Sequence, residues 1–264
     1  MIQAFIVYFV LLILMLSLAL RGKFILAKDN LIRNKNYTII SAISIFIFSL
    51  VIGLRYYVGG DYIVYLDDFN NFKLGVSYLD TRYELGYYSL MVLLKFLNFS
   101  YPFLFISISF LQIFFIYKWA SNYKHLLPWI IYFYFTTLYL FESMNLIRQA
   151  LAFSLLLYST TYIYKSDKLK FIITVLLAFL FHKSALFFLP FYFFVNKDWI
   201  KNKYIQILIL LLSFYYAELL FVNFFNQIDT IAILFNYEGY SKFTNDMFLE
   251  KNNQGWGLGL YFIL

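Results

Sequence analysis

The stretch IQAFIVYFVLLILMLSLAL, residues 2–20, runs for nineteen positions without a charged side chain. An α-helix needs about 17 to 25 mostly apolar residues to cross the hydrocarbon core of a bilayer. The run is apolar on every face, whereas a transmembrane β-barrel has roughly ten-residue segments that alternate between apolar and polar positions. Residues 37–54 and 204–222 form similar runs. The sequence therefore predicts an all-α protein, a polytopic transmembrane helix bundle with outer-face loops.

The composition of the chain indicates the same class. Of 264 residues, 63% are hydrophobic and 13% are charged, against about 45–50% and about 25% in soluble domains. The chain has no Cys, which excludes disulfides, thiolate nucleophiles and Cys-ligated metals. Its net charge of +7 is spread over loops between apolar runs, so membrane topology explains the charge better than nucleic-acid binding. We expect no cofactor and no metal, and one integral membrane domain over residues 1–264.

Charged residues set the predicted topology, because loops on the cytoplasmic side of a membrane protein are enriched in Lys and Arg. Five of these residues lie in positions 21–35, which places this loop inside and the N-terminus outside. Residues 56–84 carry five acidic side chains and two basic ones, and so form an outer loop. Over the whole chain, thirteen of the 21 Lys and Arg lie in predicted inner loops and seven in outer ones.

Several apolar segments are too short or too long for a simple span. Residues 85–98 predict a short interfacial or half-inserted helix, which is followed by spans at 103–117 and 127–141. Residues 171–195 predict a hairpin of two short helices broken at 182–184, with one tilted span as the alternative. The last apolar run has only nine residues, which is too few to cross a bilayer. We therefore expect a chain that is truncated at its C-terminus.

An arginine stands inside the next predicted span, residues 145–164. An ionisable side chain within a membrane segment is costly unless it faces a cavity or a partner. Asn145, Arg148, Gln149 and Ala152 follow the i, i+3, i+4, i+7 spacing of one helix face. We predict that this stripe lines a polar cavity at the outer end of the helix. The alternative is that Arg148 extends to the outer interface and binds nothing.

A histidine interrupts the predicted hairpin. His182 has Ala178 four residues before it and Ala185 three residues after it, and small neighbours let a helix or a ligand approach closely. Imidazole acts as a general base near neutral pH, which makes His182 the candidate base of the chain. The alternative is a structural histidine held by hydrogen bonds.

Two outer segments carry further candidate residues. Arg55 is followed by glycines at 59–60 and by Asp61. Glycine permits backbone geometry that bulkier residues forbid, a guanidinium matches phosphate with two parallel hydrogen bonds, and a carboxylate suits a hydroxyl. Glu84 and Gly86 open the interfacial helix. The alternatives are an ordinary outer turn and a glutamate that only favours the helix N-terminus.

Four motifs follow Arg55 in order: GGDYIVY (59–65), YELGY (83–87), NLIRQALA (145–152) and AFLFHKSAL (178–186). In this order and spacing they resemble the EpsG-like group of Wzy-type polysaccharide polymerases, which serve exopolysaccharide and O-antigen or lipopolysaccharide biosynthesis. The resemblance covers residues 51–195.

The resemblance implies a membrane glycosyltransferase of the bacterial cytoplasmic (inner) membrane with an outward-facing active site. Such an enzyme transfers a glycan carried on undecaprenyl diphosphate onto the next lipid-linked repeat unit. In this reading Arg148 stabilises the diphosphate with Arg55 as second contact, and His182 is the base with Asp61 as runner-up. Substrate-binding roles are expected for Gly60, Tyr62, Glu84, Gly86, Asn145, Gln149 and Ser184. For Glu84, Asn145, Gln149 and Ser184 the expected role is either to position sugars or to orient the catalytic groups. The expected partners are the lipid-linked oligosaccharide, membrane lipid and a chain-length regulator, and no nucleic acid.

Three other functions are compatible with an intramembrane arginine and histidine. A transporter or flippase of lipid-linked oligosaccharide would usually show internal repeats or helices broken by Gly and Pro. A membrane acyltransferase that modifies the glycan would use His182 as its base. A ligase that moves finished polymer to another acceptor would differ only in that acceptor.

Overall fold

The computed structural model describes residues 2–26, 31–81, 83–195 and 200–216. Within these ranges all regular structure is helical, which confirms the all-α prediction. The α-helices are α1 Ile2–Leu26, α2 Leu31–Gly53, α3 Tyr62–Asn71, α4 Leu85–Phe96, α5 Pro102–Ala120, α6 Leu127–Thr136, α7 Tyr139–Asn145, α8 Ile147–Tyr164, α9 Lys168–Phe179, α10 Phe191–Phe194 and α11 Lys203–Tyr215. Short 3-10 helices cover Tyr78–Asp80, Ser121–Leu126 and Lys183–Phe188.

The chain divides into two compact units, residues 1–196 and 197–264. In the second unit the described part is α11 with its flanking residues, and the predicted span at 204–222 and the terminal apolar run lie partly or wholly outside the described residues. The single membrane domain stays a prediction. The candidate residues all belong to the first unit.

Helix α1 shows how the first unit buries only part of its apolar surface. Its buried residues are Tyr8, Leu11, Met15 and Ala19, which are spaced three and four apart and form one stripe. Large apolar side chains on the remaining surface are exposed, among them Phe5, Ile6, Phe9, Val10 and Ile13. Since a helix in water normally turns polar residues outward, this exposed apolar surface suits contact with lipid.

Helix α5 lies between two apolar cores and packs against α2 and α8. Its first half contributes Leu104, Phe105 and Ile108 to a core shared with α3, α4, α8 and α9. Its second half contributes Ile113 and Ile116 to a core shared with α1, α2, α6 and α7. The first of these cores lies beside the residues that sequence reasoning singled out, so α5 forms their rigid support.

The predicted span at 127–141 is wrong as a single helix. Helix α6 ends at Thr136, and Leu138 adopts a left-handed conformation with φ of 65° before α7 begins. The hydroxyls of Thr136 and Thr137 donate to the carbonyls of Tyr132 and Phe133. Such bonds compete with the helical ladder, which is a physical reason for the break at this point.

A second break separates α7 from α8, and it overturns the predicted helical stripe. Leu146 has φ of −94° and ψ of 57°, so Asn145 ends one helix while Arg148 lies in the first turn of the next. A residue of α5 stabilises the break: Gln112 Nε2 donates hydrogen bonds to the carbonyls of Ser143 at 3.4 Å and Ile147 at 3.0 Å. Buried carbonyls without partners are costly in an apolar medium, so this glutamine compensates the interruption.

The segment around residue 182 leaves the helical path, as the sequence predicted. Helix α9 ends at Phe179, and His182 is extended with φ of −156° and ψ of 122°. The second arm differs from the prediction, because it consists of a 3-10 helix and the short α10 instead of one regular helix. This geometry places His182 at the junction of the two arms.

Two helical stretches of the described chain are long and apolar enough to cross a membrane, Ala4–Gly22 and Pro102–Thr136. Shorter apolar helices cover Thr38–Gly53, Leu85–Phe96, Lys183–Phe194 and Lys203–Ser213. The twelve-residue α4 agrees with the short helix expected at 85–98. The full number of membrane spans stays a prediction.

Candidate functional site

Three of the sequence motifs meet at one buried carboxylate. Glu84 directly precedes α4, Arg148 lies in the first turn of α8, and His182 follows α9. Glu84 Oε2 forms an ion pair with Arg148 Nη1. The other carboxylate oxygen, Oε1, lies 3.4 Å from His182 Nδ1. Glu84 is 4% exposed, Arg148 30% and His182 23%, so the carboxylate is enclosed while the cation and the imidazole are accessible.

A backbone contact fixes the distance between the helices that carry this group. The Gly86 N–H donates to the Leu180 carbonyl at 2.7 Å. A Cβ atom at position 86 would lie 2.8 Å from that oxygen, so only glycine permits the approach. Gly86 therefore aligns Glu84 with His182, which is an alternative to the predicted contact with substrate.

Two tyrosines that sequence reasoning missed surround the arginine. The Arg148 guanidinium lies 5.4 Å from the ring centre of Tyr87 and donates a hydrogen bond to the Tyr65 hydroxyl. Burial raises the pKa of Tyr65, an effect that Arg148 partly offsets, so the phenol remains protonated at neutral pH. Tyr65 follows Asp61 by four residues, one helical turn, and Tyr87 closes the YELGY motif. Their positions inside two of the motifs were the sequence feature that could have identified them as site residues.

The loop that contains the glycines at 59–60 is hydrogen-bonded to the break between α7 and α8. The Gly60 N–H donates to Asn145 Oδ1 at 2.7 Å. Gly59 has φ of 108°, and a Cβ atom there would lie 2.9 Å from the same oxygen. The Asn145 amide thus holds the loop in place, which is a structural role distinct from the predicted contact with a sugar.

Asp61 lies at the edge of the cluster. It is half-buried at the start of α3 and makes no side-chain capping hydrogen bond. The charges of Asp61, Glu84 and Arg148 all act on the Tyr65 hydroxyl. The structure therefore brings the runner-up base to the same region as the proposed anion contact.

Arg55 is a structural arginine in this fold. Its Nε donates to the Val58 carbonyl at 3.2 Å, Nη1 to Ile52 at 3.0 Å and Nη2 to Met144 at 3.0 Å. The guanidinium also lies 4.5 Å from the ring centre of Phe105, and the residue is 6% exposed. Because Arg55 is buried and each of its guanidine nitrogens donates to a backbone carbonyl, the geometry does not support the predicted phosphate contact.

The remaining predicted residues divide by exposure. Tyr62 is 1% exposed and stacks on Phe105 with ring centres 5.0 Å apart, which places it beneath the surface and makes it a support. Gln149 and Ser184 are exposed neighbours of Arg148 and His182 in sequence. They are thus open to a ligand that reaches the cluster.

The site combines an accessible guanidinium, an accessible imidazole and a carboxylate that contacts both. Such a set can bind an anion and transfer a proton. Among the described residues no group of three His, Cys, Asp or Glu side chains is placed to hold a metal ion.

Fold and site together define a helical membrane protein with an Arg–Glu–His cluster where three helix ends meet. The model of the EpsG family matches residues 38–263, and the chain belongs to this family. No curated protein and no solved structure matches the chain. Membership confirms the resemblance drawn from the motifs, and it indicates a polysaccharide polymerase-like role in polysaccharide biosynthesis at a membrane.

Proposed function

We propose that the protein is a membrane glycosyltransferase that polymerises lipid-linked oligosaccharide. It would transfer a glycan from undecaprenyl diphosphate onto the next lipid-linked repeat unit at the outer face of the bacterial cytoplasmic membrane. The observation that carries this proposal is the accessible pair of Arg148 and His182 on the buried Glu84 carboxylate. A cationic group beside a base suits a reaction in which an anion leaves the donor and a proton is removed from the acceptor hydroxyl.

Arg148 is the proposed contact for the leaving diphosphate. Its side chain is 30% exposed and lies in the first turn of the eighteen-residue α8. The N-terminus of a helix carries partial positive charge, which adds to the attraction for an anion. Glu84 and Tyr65 already hold the guanidinium in position. Since a guanidinium has five N–H donors, donors remain for phosphate oxygens.

His182 is the proposed base for the acceptor hydroxyl, and Asp61 is the runner-up. In the reaction the acceptor oxygen forms a bond to the anomeric carbon of the donor glycan. The bond from that carbon to the diphosphate oxygen breaks, and its electron pair leaves with the diphosphate. The hydroxyl proton passes to the imidazole, while the new negative charge lies against Arg148. Gln149 and Ser184, both exposed, are the proposed sugar contacts.

The proposal is tested by gel analysis of surface glycan in cells that depend on this protein, with variants compared at matched abundance. We expect Arg148→Ala and His182→Ala to leave single repeat units and to lose the ladder of longer chains. Arg148→Lys keeps a charge opposite Glu84 but lacks the planar fork, so it should shorten the ladder without unpairing the carboxylate. His125→Ala is the matched control, because His125 is exposed and lies outside the cluster.

Normal ladders in the Arg148→Ala and His182→Ala variants would refute the assigned roles. A ladder that survives deletion of the gene would refute polymerisation itself. Repeat units that stay on the inner face after deletion would point instead to the transporter alternative.

A further inference from the structure

We infer that Glu84 is a positioning residue that fixes the tautomer of His182. Its carboxylate holds the imidazole proton on Nδ1 and leaves the lone pair on Nε2 as the basic atom. This inference rests on the proposed role of His182 as the base. Of the two roles that the sequence leaves open for Glu84, positioning a sugar or orienting the catalytic groups, it assigns the second.

The tautomer follows from the two sides of the carboxylate. Glu84 Oε2 is occupied by Arg148, and Oε1 faces His182 Nδ1 at 3.4 Å. An ionised carboxylate only accepts hydrogen bonds, so a proton on the ring nitrogen that faces it is favoured over a lone pair, which the carboxylate would repel. A neutral imidazole has one protonated nitrogen, and its Nε2 is therefore unprotonated. Imidazole in a free histidine prefers the opposite arrangement, so the protein imposes this one.

The buried position of the Glu84 carboxylate determines which edge of the His182 ring faces it. Glu84 is 4% exposed, whereas His182 is 23% exposed. The Nδ1 edge of the imidazole thus points to the enclosed carboxylate, and the Nε2 edge lies on the far side of the ring from it. This is the arrangement in which a base meets an incoming hydroxyl while its other nitrogen is held by an acid group.

The backbone around the pair restricts how far the two groups can separate. The hydrogen bond from Gly86 N–H to the Leu180 carbonyl, 2.7 Å long, lies two residues from each partner. His182 N–H donates to Ala178, and the His182 carbonyl accepts from Ala185. The imidazole therefore starts from a fixed backbone. Glu84 acts on the reaction through His182 and Arg148 and has no need to touch the substrate.

The decisive measurement is nitrogen NMR of the purified full chain in detergent with ring-labelled histidine, at a pH where both imidazoles are neutral. The chain has two histidines, so the His125→Asn variant leaves only the His182 signals. We expect a protonated Nδ1 and an unprotonated Nε2. In Glu84→Gln the amide oxygen stays with Arg148 and the amide N–H₂ faces the ring, so the proton should move to Nε2. Glu84→Asp should keep the proton on Nδ1.

The same variants separate positioning from substrate contact in the reaction. With lipid-linked repeat units isolated from cells that lack the polymerase, Glu84→Gln should lower kcat about tenfold or more, as loss of a carboxylate that orients a histidine does. KM should stay near that of the unchanged protein, and Glu84→Asp should recover part of kcat. A raised KM with unchanged kcat would instead assign Glu84 to sugar binding.

A protonated Nε2 in the unchanged protein would overturn the inference, as would a proton that stays on Nδ1 in Glu84→Gln. The NMR result needs no turnover, so it is independent of the glycan ladder. If the ladder experiment refuted polymerisation while NMR showed the expected tautomer, Glu84 would still be the partner of a base, but in another reaction.

Discussion

The two arginines of the site region differ in burial, and this difference separates the structural role of Arg55 from the chemical role proposed for Arg148. Arg55 is 6% exposed and each of its nitrogens donates to a backbone carbonyl. Arg148 is 30% exposed and is held by one carboxylate and one phenol. The sequence places Arg55 directly after a predicted span and Arg148 inside one, so it indicates that each charge is costly but not what each side chain binds. The exposure and the hydrogen-bond partners of each guanidinium, which only the structure shows, distinguish the two arginines.

Replacement of Arg55 should therefore act on stability first. In Arg55→Gln the carbonyls of Ile52, Val58 and Met144 lose donors, and we expect the free energy of unfolding to fall by at least about 2 kcal/mol. Thermal unfolding of the purified protein in detergent measures the change. Arg21→Gln, at an exposed position of α1, is the control. A variant that unfolds like the unchanged protein yet loses the glycan ladder would return Arg55 to the substrate contacts.

At the scale of helices, the sequence predicts where segments lie better than where they break. The apolar run at 2–20 and the short segment at 85–98 both appear as helices. The break at Leu138 was missed, because the apolar residues on both sides of it read as one span over 127–141. The turn expected between that span and the one at 145–164 falls instead at Leu146, just after α7. What stabilises the second break comes from Arg55 and Gln112, which lie 89 and 31 to 35 residues away from the carbonyls they bind. Local periodicity carries no information about such distant donors.

The break between α7 and α8 yields a prediction for Gln112. Gln112→Leu keeps the size of the side chain but leaves the carbonyls of Ser143 and Ile147 without this donor. We expect a loss of about 1 kcal/mol, since interhelical hydrogen bonds in membrane proteins are typically of this order. Thermal unfolding in detergent measures it, with Phe110→Leu on the exposed side of α5 as the control. Equal stability of the two variants would contradict the role assigned to the glutamine.

For the whole molecule, the motifs contained the main site residues but not their pairing. Glu84, Arg148 and His182 each stand in a motif that the sequence singles out, and the first two meet across 64 positions of chain. The carboxylate link between the arginine and the histidine was not foreseen, because it depends on the Gly86 contact with Leu180. The sequence also indicated an orientation through its charges, which is open to direct test.

The absence of native cysteine allows that test without a background. The proposed topology puts exposed Ser184 outside and exposed Ser121 inside. Ser184→Cys should react with a membrane-impermeant maleimide on intact cells, and Ser121→Cys only after the membrane is opened. The label is read on the protein by a gel shift. The reverse pattern would overturn the proposed orientation.

The hydrogen bonds that stabilise the break between α7 and α8 also have a consequence for the order in which the protein is assembled during synthesis. A membrane protein enters the bilayer from its N-terminus as the ribosome extends it, so α2 and α5 arrive before α7 and α8. Arg55 and Gln112 are therefore synthesised before Met144, Ser143 and Ile147, whose carbonyls they bind. The end of α8 proposed to bind the anion is therefore completed late in biogenesis, when its carbonyls and those of α7 accept hydrogen bonds from side chains that were made earlier.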